Sequence, residues 1–198
     1  MNVVKVIYRT IKSVEAFFAL LINYVQFKVN RVQFLKMPKI YGRILIRNNG
    51  SLIVGKNIIF KNSTVYNMVG INKKSSIYVG DNATLKIGDY SGFSGVSIFC
   101  TTMIIFGKYC NIGGNTFIWD TDFHPIGYKA RRNNDELQIQ SKPIIIGDDV
   151  FIGANCIILK GIKIGDRSIV GAGSVVTHSI PSDEIWAGNP AKFVKKVI

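Results

Sequence analysis

The residues best able to do chemistry sit in one polar excursion. Between Phe117-Ile118-Trp119 and the aliphatic Ile144 the chain reads DTDFHPIGYKARRNNDELQIQSKP, which contains His124, one of two histidines in 198 residues. A neutral imidazole with an ordinary pKa near ~6.5 can take a proton from a hydroxyl at neutral pH and return it to a leaving group. Asp120 and Asp122 flank it. Either carboxylate could orient the ring through its second nitrogen, with Asp122 preferred, and a backbone carbonyl would serve equally well. The other histidine, His178, reads as an exposed corner residue. Cys100, Cys110 and Cys156 are odd in number and lack metal-like spacing. They read as buried, reduced thiols rather than nucleophiles, which favours the cytoplasm over a secreted, disulfide-framed protein.

A repeat must position that loop. From Ile146 to Pro181 the chain runs IGDDVF, IGANCI, ILKGIK, IGDRSI, VGAGSV, VTHSIP, six units of six residues in unbroken register. An aliphatic residue opens each unit and a small residue usually follows, so each unit predicts a short strand and a tight corner. Three units would close a triangular coil, and stacked coils would bury each other's apolar layers. The expected fold is an all-β parallel solenoid over 37–185, with the loop at 120–143 and a tail at 186–198. Periodicity does not fix its hand. Earlier anchors recur at Val54-Gly55, Val79-Gly80, Ile87-Gly88, Phe106-Gly107 and Ile112-Gly113, but their offsets are not all multiples of six. Bulged corners or inserts are expected there.

Residues 1–36 differ from all that follows. They contain neither Gly nor Pro, and bases recur at Lys5, Arg9, Lys12, Lys28, Arg31 and Lys36. The pattern predicts a basic amphipathic helix. Only 12 uncharged residues separate Glu15 from Lys28, against the ~20 needed to cross a bilayer. No small-residue cleavage site follows the apolar part, which argues against a signal peptide. Two placements stay open: a helix in a membrane interface facing acidic lipid, or one packed on the solenoid or a sister subunit. The net charge of +13, from 25 Lys and Arg against 12 Asp and Glu, suggests an anionic partner. No nucleic-acid-binding motif accompanies it.

The stretch FIGANCIILKGIKIGDRSIVGAGSVVTHSIP, followed by WAGNPAK, resembles the hexapeptide-repeat acyltransferases, especially their maltose, galactoside and polysaccharide O-acetyltransferase branch. TDFHPIG is similar to that branch's catalytic loop. The resemblance implies a left-handed parallel β-helix, a homotrimer, and acetyl-CoA as donor in a cleft between subunits. It makes His124 the general base, moving an acetyl group to a sugar hydroxyl with no covalent enzyme intermediate. It carries cofactor contacts to Gly153, Ala154, Gly171, Ala172 and Thr177, with Gly173 helping keep the surface flat. Lys192 and Lys195 fall near the CoA phosphates, and His178 stands where a lysine is common. Trp186 would cover the last coil or stack on adenine. Asn111 is a guess for acceptor contact, and Arg131 and Arg132, with Lys129, would suit an acidic glycan or CoA itself.

The capping segment usual in that branch is not recognisable, and the basic helix stands in its place. A surface-polysaccharide acceptor, handled in the cytoplasm or at the inner face of the membrane, is the expectation that follows. An N-acyltransferase of an amino sugar and a non-catalytic structural solenoid are the competing readings. Zinc hydratases on this scaffold need several histidines, so no metal is expected.

Overall fold

The computed structural model describes residues 3–65 and 67–197. The chain winds as a left-handed parallel β-helix behind one long helix. Face A stacks Gln33–Phe34, Ser51–Val54, Thr84–Ile87, Met103–Phe106, Ile144–Ile146 and Lys163–Ile164. Face B stacks Lys39–Tyr41, Ile59–Lys61, Gly92–Ser94, Asn111–Ile112, Phe151–Ile152, Ile169–Val170 and Glu184–Ala187, with Lys192–Lys196 closing it antiparallel. Face C stacks Leu45–Asn48, Ser76–Val79, Ser97–Cys100, Phe117–Trp119, Ile157–Ile158 and Val175–Val176. The chain visits A, B and C in turn, and every pairing between coils is parallel in register until the last strand.

The six-residue unit works because its first and fifth positions point inward. Ile146, Ile152, Ile158, Ile164, Val170 and Val176 are each at most 1% exposed. The fifth positions, Val150, Cys156, Ile162, Ser168, Ser174 and Ile180, are buried between them. Each fully buried aliphatic contributes roughly 1.5–3 kcal/mol by leaving water. The small second position is demanded by stacking: a Cβ on Gly107 would lie 2.5 Å from the carbonyl carbon of Gly147, and one on Gly153 would lie 2.5 Å from Ala172 N. The Asp after the glycine ties coils together. Asp148 Oδ1 accepts from Lys108 N at 2.7 Å, and Asp166 Oδ1 accepts from Asp148 N at 2.8 Å.

Helix α1 spans Val3–Val29, seven residues short of the expected end at Lys36. Arg31 turns the chain with φ 50°, and Gln33–Phe34 already pairs with Ile53–Val54 as the first rung of face A. The solenoid therefore opens before Met37-Pro38. It also runs past 185, because Glu184–Ala187 continues face B and the expected tail folds back on it. Met1, Asn2 and Ile198, at the two ends of those expected segments, lie outside the described residues. The irregular offsets in the first coils resolve into an insert at residues 62–75, at the corner between faces B and C. Trp186 packs against the core, as a cover for the last coil does.

Candidate functional site

The excursion at 120–143 leaves the corner between faces C and A and is held shut at its neck. Thr121 and Ser141 form an antiparallel bridge, Lys142 N donates to Asp120 O at 2.9 Å, and Asp122 N donates to Gln140 O at 3.0 Å. Beneath the neck, Asp120 is fully buried. Its carboxylate accepts from the backbone N–H groups of Thr101, Thr102 and Met103 and from both threonine hydroxyls, at 2.7–3.1 Å. A loop of this length would otherwise sample many conformations. Anchoring both ends on the preceding corner removes that freedom.

His124 sits exposed just past the neck, between Phe123 in left-handed conformation (φ 63°) and buried Pro125. Arg131, on the short helix α2 (Tyr128–Arg132), reaches back: its Nη1 donates to the carbonyls of Pro125, at 2.9 Å, and Ile126. This fixes the backbone on which His124 rides, so Arg131 acts on the loop itself, a role different from the acceptor contact expected of it. Arg132 lies 5.4 Å over the Tyr128 ring and is exposed.

Neither aspartate is hydrogen-bonded to the imidazole, contrary to the expected role of Asp122. Its Oδ1 accepts from Lys160 Nζ at 2.6 Å, and its Oδ2 is buried without a partner. Lys160 comes from the same corner one coil on, and no motif in the sequence singles it out. Among the described residues the ring nitrogens of His124 have no hydrogen-bond partner. Thr177 and His178 stand on that corner one coil further, with Thr177 Oγ1 2.9 Å from His178 Nδ1.

An aromatic panel also went unread. Phe123 meets Phe99 (centroids 4.8 Å apart) and Trp119 (5.4 Å), and Phe99 stacks on Tyr78 at 4.3 Å. Tyr78, Phe99 and Trp119 point outward from successive rungs of face C, and Phe123, next to His124 in the chain, covers them from the loop. Strand alternation was the signal that could have found it: Phe117 and Trp119 flank inward Ile118, as Phe99 does inward Ile98 and Cys100. At its edge Lys73 Nζ lies 3.1 Å from the Phe117 ring centroid, and burial pushes this amine down to about 8.

The residues expected to hold the cofactor fall mostly on a different corner, between B and C. Gly153 and Ala154 lie one coil before Gly171 and Ala172, and a Cβ on Gly171 would lie 2.8 Å from Ala187 Cβ. Lys192 pairs with Ala187 at the end of this column. Ala154 is half-buried, while Ala172 and Gly173 are exposed. The insert at 62–75 closes the opposite end: Asn115 Nδ2 donates to Gly70 O at 2.9 Å, and Ile71 lies against Gly95 and Gly114. The result is a bare, small-residue shelf with a wall at one end and a cation at the other. Thr177 is not on this shelf but on the His124 corner. Lys195 is exposed further along face B, opposite Ile185. Asn111 stands outward in the middle of face B, remote from the loop in the same chain. The three cysteines are free and buried. Burial pushes Cys100 up to about 12 and Cys110 up to about 11, and raises Cys156, so none is poised as a thiolate.

Residues 143–178 match the family model described as a hexapeptide repeat of succinyl-transferase. Galactoside O-acetyltransferase of Escherichia coli is 32% identical over 62% of this chain and 55% of its own length. Among solved structures, a hexapeptide-repeat acetyltransferase of Vibrio cholerae complexed with acetyl coenzyme A is 35% identical, with a TM-score of 0.53 over 58% of this chain and 61% of that one. A polysialic-acid-specific acetyltransferase is 26% identical, with a TM-score of 0.58 over 84% of this chain and 82% of that one. The chain spans about half the length of the curated relatives it matches. Repeat, fold and sequence likeness point the same way: the chain is similar to hexapeptide-repeat acetyltransferases, with the family model matching residues 143–178.

Proposed function

We propose that the chain is an acetyl-CoA-dependent O-acetyltransferase of a sugar hydroxyl, working as a homotrimer in surface-polysaccharide assembly, with His124 as general base. The observation that carries the reading is the clamped loop: one exposed imidazole, its backbone fixed by Arg131, at the head of an aromatic panel. Aromatic faces suit the apolar side of a pyranose ring. The relatives named for galactoside and polysialic acid acetylation support a sugar acceptor, and the one complexed with acetyl coenzyme A supports the donor.

The shelf at the B–C corner fits the donor. Small residues let an extended pantetheine arm lie along the backbone, and Lys192 meets phosphate at the end of the column. The bound donor would supply a thioester carbonyl as electrophile. His124 removes the acceptor hydroxyl proton as that oxygen attacks, then gives the proton to the departing sulfur. No residue forms a covalent bond, in keeping with the three buried thiols. Loop and shelf lie on different corners of one prism, so a complete site needs the loop of one subunit beside the shelf of the next.

The test is thiol release from acetyl-CoA in the presence of glycans, free sugars and amino sugars, with wild type beside His124→Ala. Wild type should acetylate a glycan hydroxyl, and the variant should lose about 10²–10⁴-fold in kcat with an unchanged melting profile. Equal rates in the two proteins would remove His124 from the chemistry, and transfer confined to amino sugars would replace the O-acetyl reading with an N-acyl one.

A further inference from the structure

We propose that α1 is an interfacial anchor that lays the chain on an anionic lipid surface. The helix is mounted with its polar side toward the protein. Asn23 Nδ2 donates to Gly42 O at 2.8 Å and Asn23 Oδ1 accepts from Ile44 N at 3.1 Å. Gln26 Oε1 accepts from Ile46 N at 3.3 Å, and Asn30, just past the helix end, accepts from Asn48 N at 3.1 Å. Leu45–Asn48 is the end strand of face C, and these amides satisfy its open edge.

The opposite side carries the apolar residues. Val3, Ile7, Val14, Phe18, Leu21 and Val25 are 70%, 54%, 49%, 53%, 51% and 49% exposed. At 100° per residue they fall within about 60° of arc, facing away from Asn23. The 27-residue helix is ~40 Å long at 1.5 Å per residue, and an apolar stripe of that length rarely stays in water. Among the described residues no helix is long and apolar enough to cross a membrane, so the stripe suits lying on one.

Charge selects the occupant. Lys5, Arg9, Lys12 and Lys28 stand against a single acid, Glu15, already paired with Lys12 at 2.6 Å. Arg43 and Lys74, both exposed, add cations around the cleft of about 1410 Å³ between α1 and the first coils. Lys5, Arg9 and Lys12 lie on the side of α1 opposite the stripe and Lys28 at the stripe's edge, the arrangement of an interfacial helix. A surface of acidic headgroups attracts this net positive charge as a neutral surface does not.

The experiment is flotation of the full chain with phosphatidylcholine vesicles, with and without phosphatidylglycerol, at low and high salt. Binding should require the anionic lipid and weaken with salt. It should fall at least about tenfold in an Ile7→Glu/Phe18→Glu/Leu21→Glu variant, and also in a Lys5→Gln/Arg9→Gln/Lys12→Gln variant. Circular dichroism and melting of both variants should match wild type. Failure of wild type to float, or equal flotation on neutral vesicles, would overturn the proposal. So would a change of solution mass in the glutamate variant with flotation intact, because α1 would then pack on another copy. None of these readouts depends on acetyl transfer.

Discussion

Asp120 and Asp122 are separated by one threonine and do unrelated work. Asp120 is a buried staple whose five hydrogen bonds tie the loop neck to the preceding corner. Asp122 is half-exposed and engaged with Lys160. Replacing Asp120 with Ala orphans the N–H groups of Thr101, Thr102 and Met103, each costing about 1–3 kcal/mol where water cannot reach. Asp120→Ala should therefore lose at least about 3 kcal/mol in urea unfolding, and a loss under 1 kcal/mol would show the staple to be dispensable. The sequence could not separate the two carboxylates because their partners lie far away in it, at 101–103 and at 160. His124 was legible because histidine is scarce here and its loop breaks a strict repeat. Arg131 was not: its partners are backbone carbonyls, which leave no side-chain pattern to read.

Among the elements, the solenoid was the most legible part, since two inward positions in every six leave a period that survives substitution. Ser168 and Ser174 hold inward positions as well as Ile162 does, each satisfied by a carbonyl, that of Pro181 or Gly171. The insert at 62–75 was legible only as an irregular offset between anchors, because it replaces a corner and keeps the strands around it in register. The end of α1 was missed because Asn30-Arg31 turns the chain without Gly or Pro. What attaches α1 is equally hidden: three amide side chains at Asn23, Gln26 and Asn30, spaced to meet alternate residues of one strand. Asn23 is 1% exposed, so Asn23→Ala leaves a buried donor and a buried acceptor unpaired, at about 2–4 kcal/mol. Hydrogen exchange should localise the effect. Amides of Ile44 and Ile46 should lose protection while those of Ile152 and Ile158, four coils away, keep theirs. Uniform loss across the solenoid would mean that α1 is part of a single cooperative unit.

At the scale of the whole molecule, the proposed donor shelf and His124 occupy different corners of one prism, and this has a consequence that mutation of single residues cannot reach. Two inactive variants should rescue each other. His124→Ala spoils the loop and leaves the shelf intact, while Ala172→Trp fills the shelf and leaves the loop intact. In the proposed ring of three, each seam would join the loop of one subunit to the shelf of its neighbour, a heterologous contact that closes by rotation. Random co-assembly of the two variants in equal amounts gives an intact loop facing an intact shelf in about one seam of four, so roughly a quarter of wild-type activity should return. The measurement is acetyl transfer by co-expressed variants purified through two different tags, against each variant alone. A mixture as inactive as its components would mean that base and donor meet within one chain, and the seam would have no part in catalysis. Recovery near one quarter would require subunits to share the site, in keeping with a loop corner and a shelf corner that lie on opposite edges of face C within one chain.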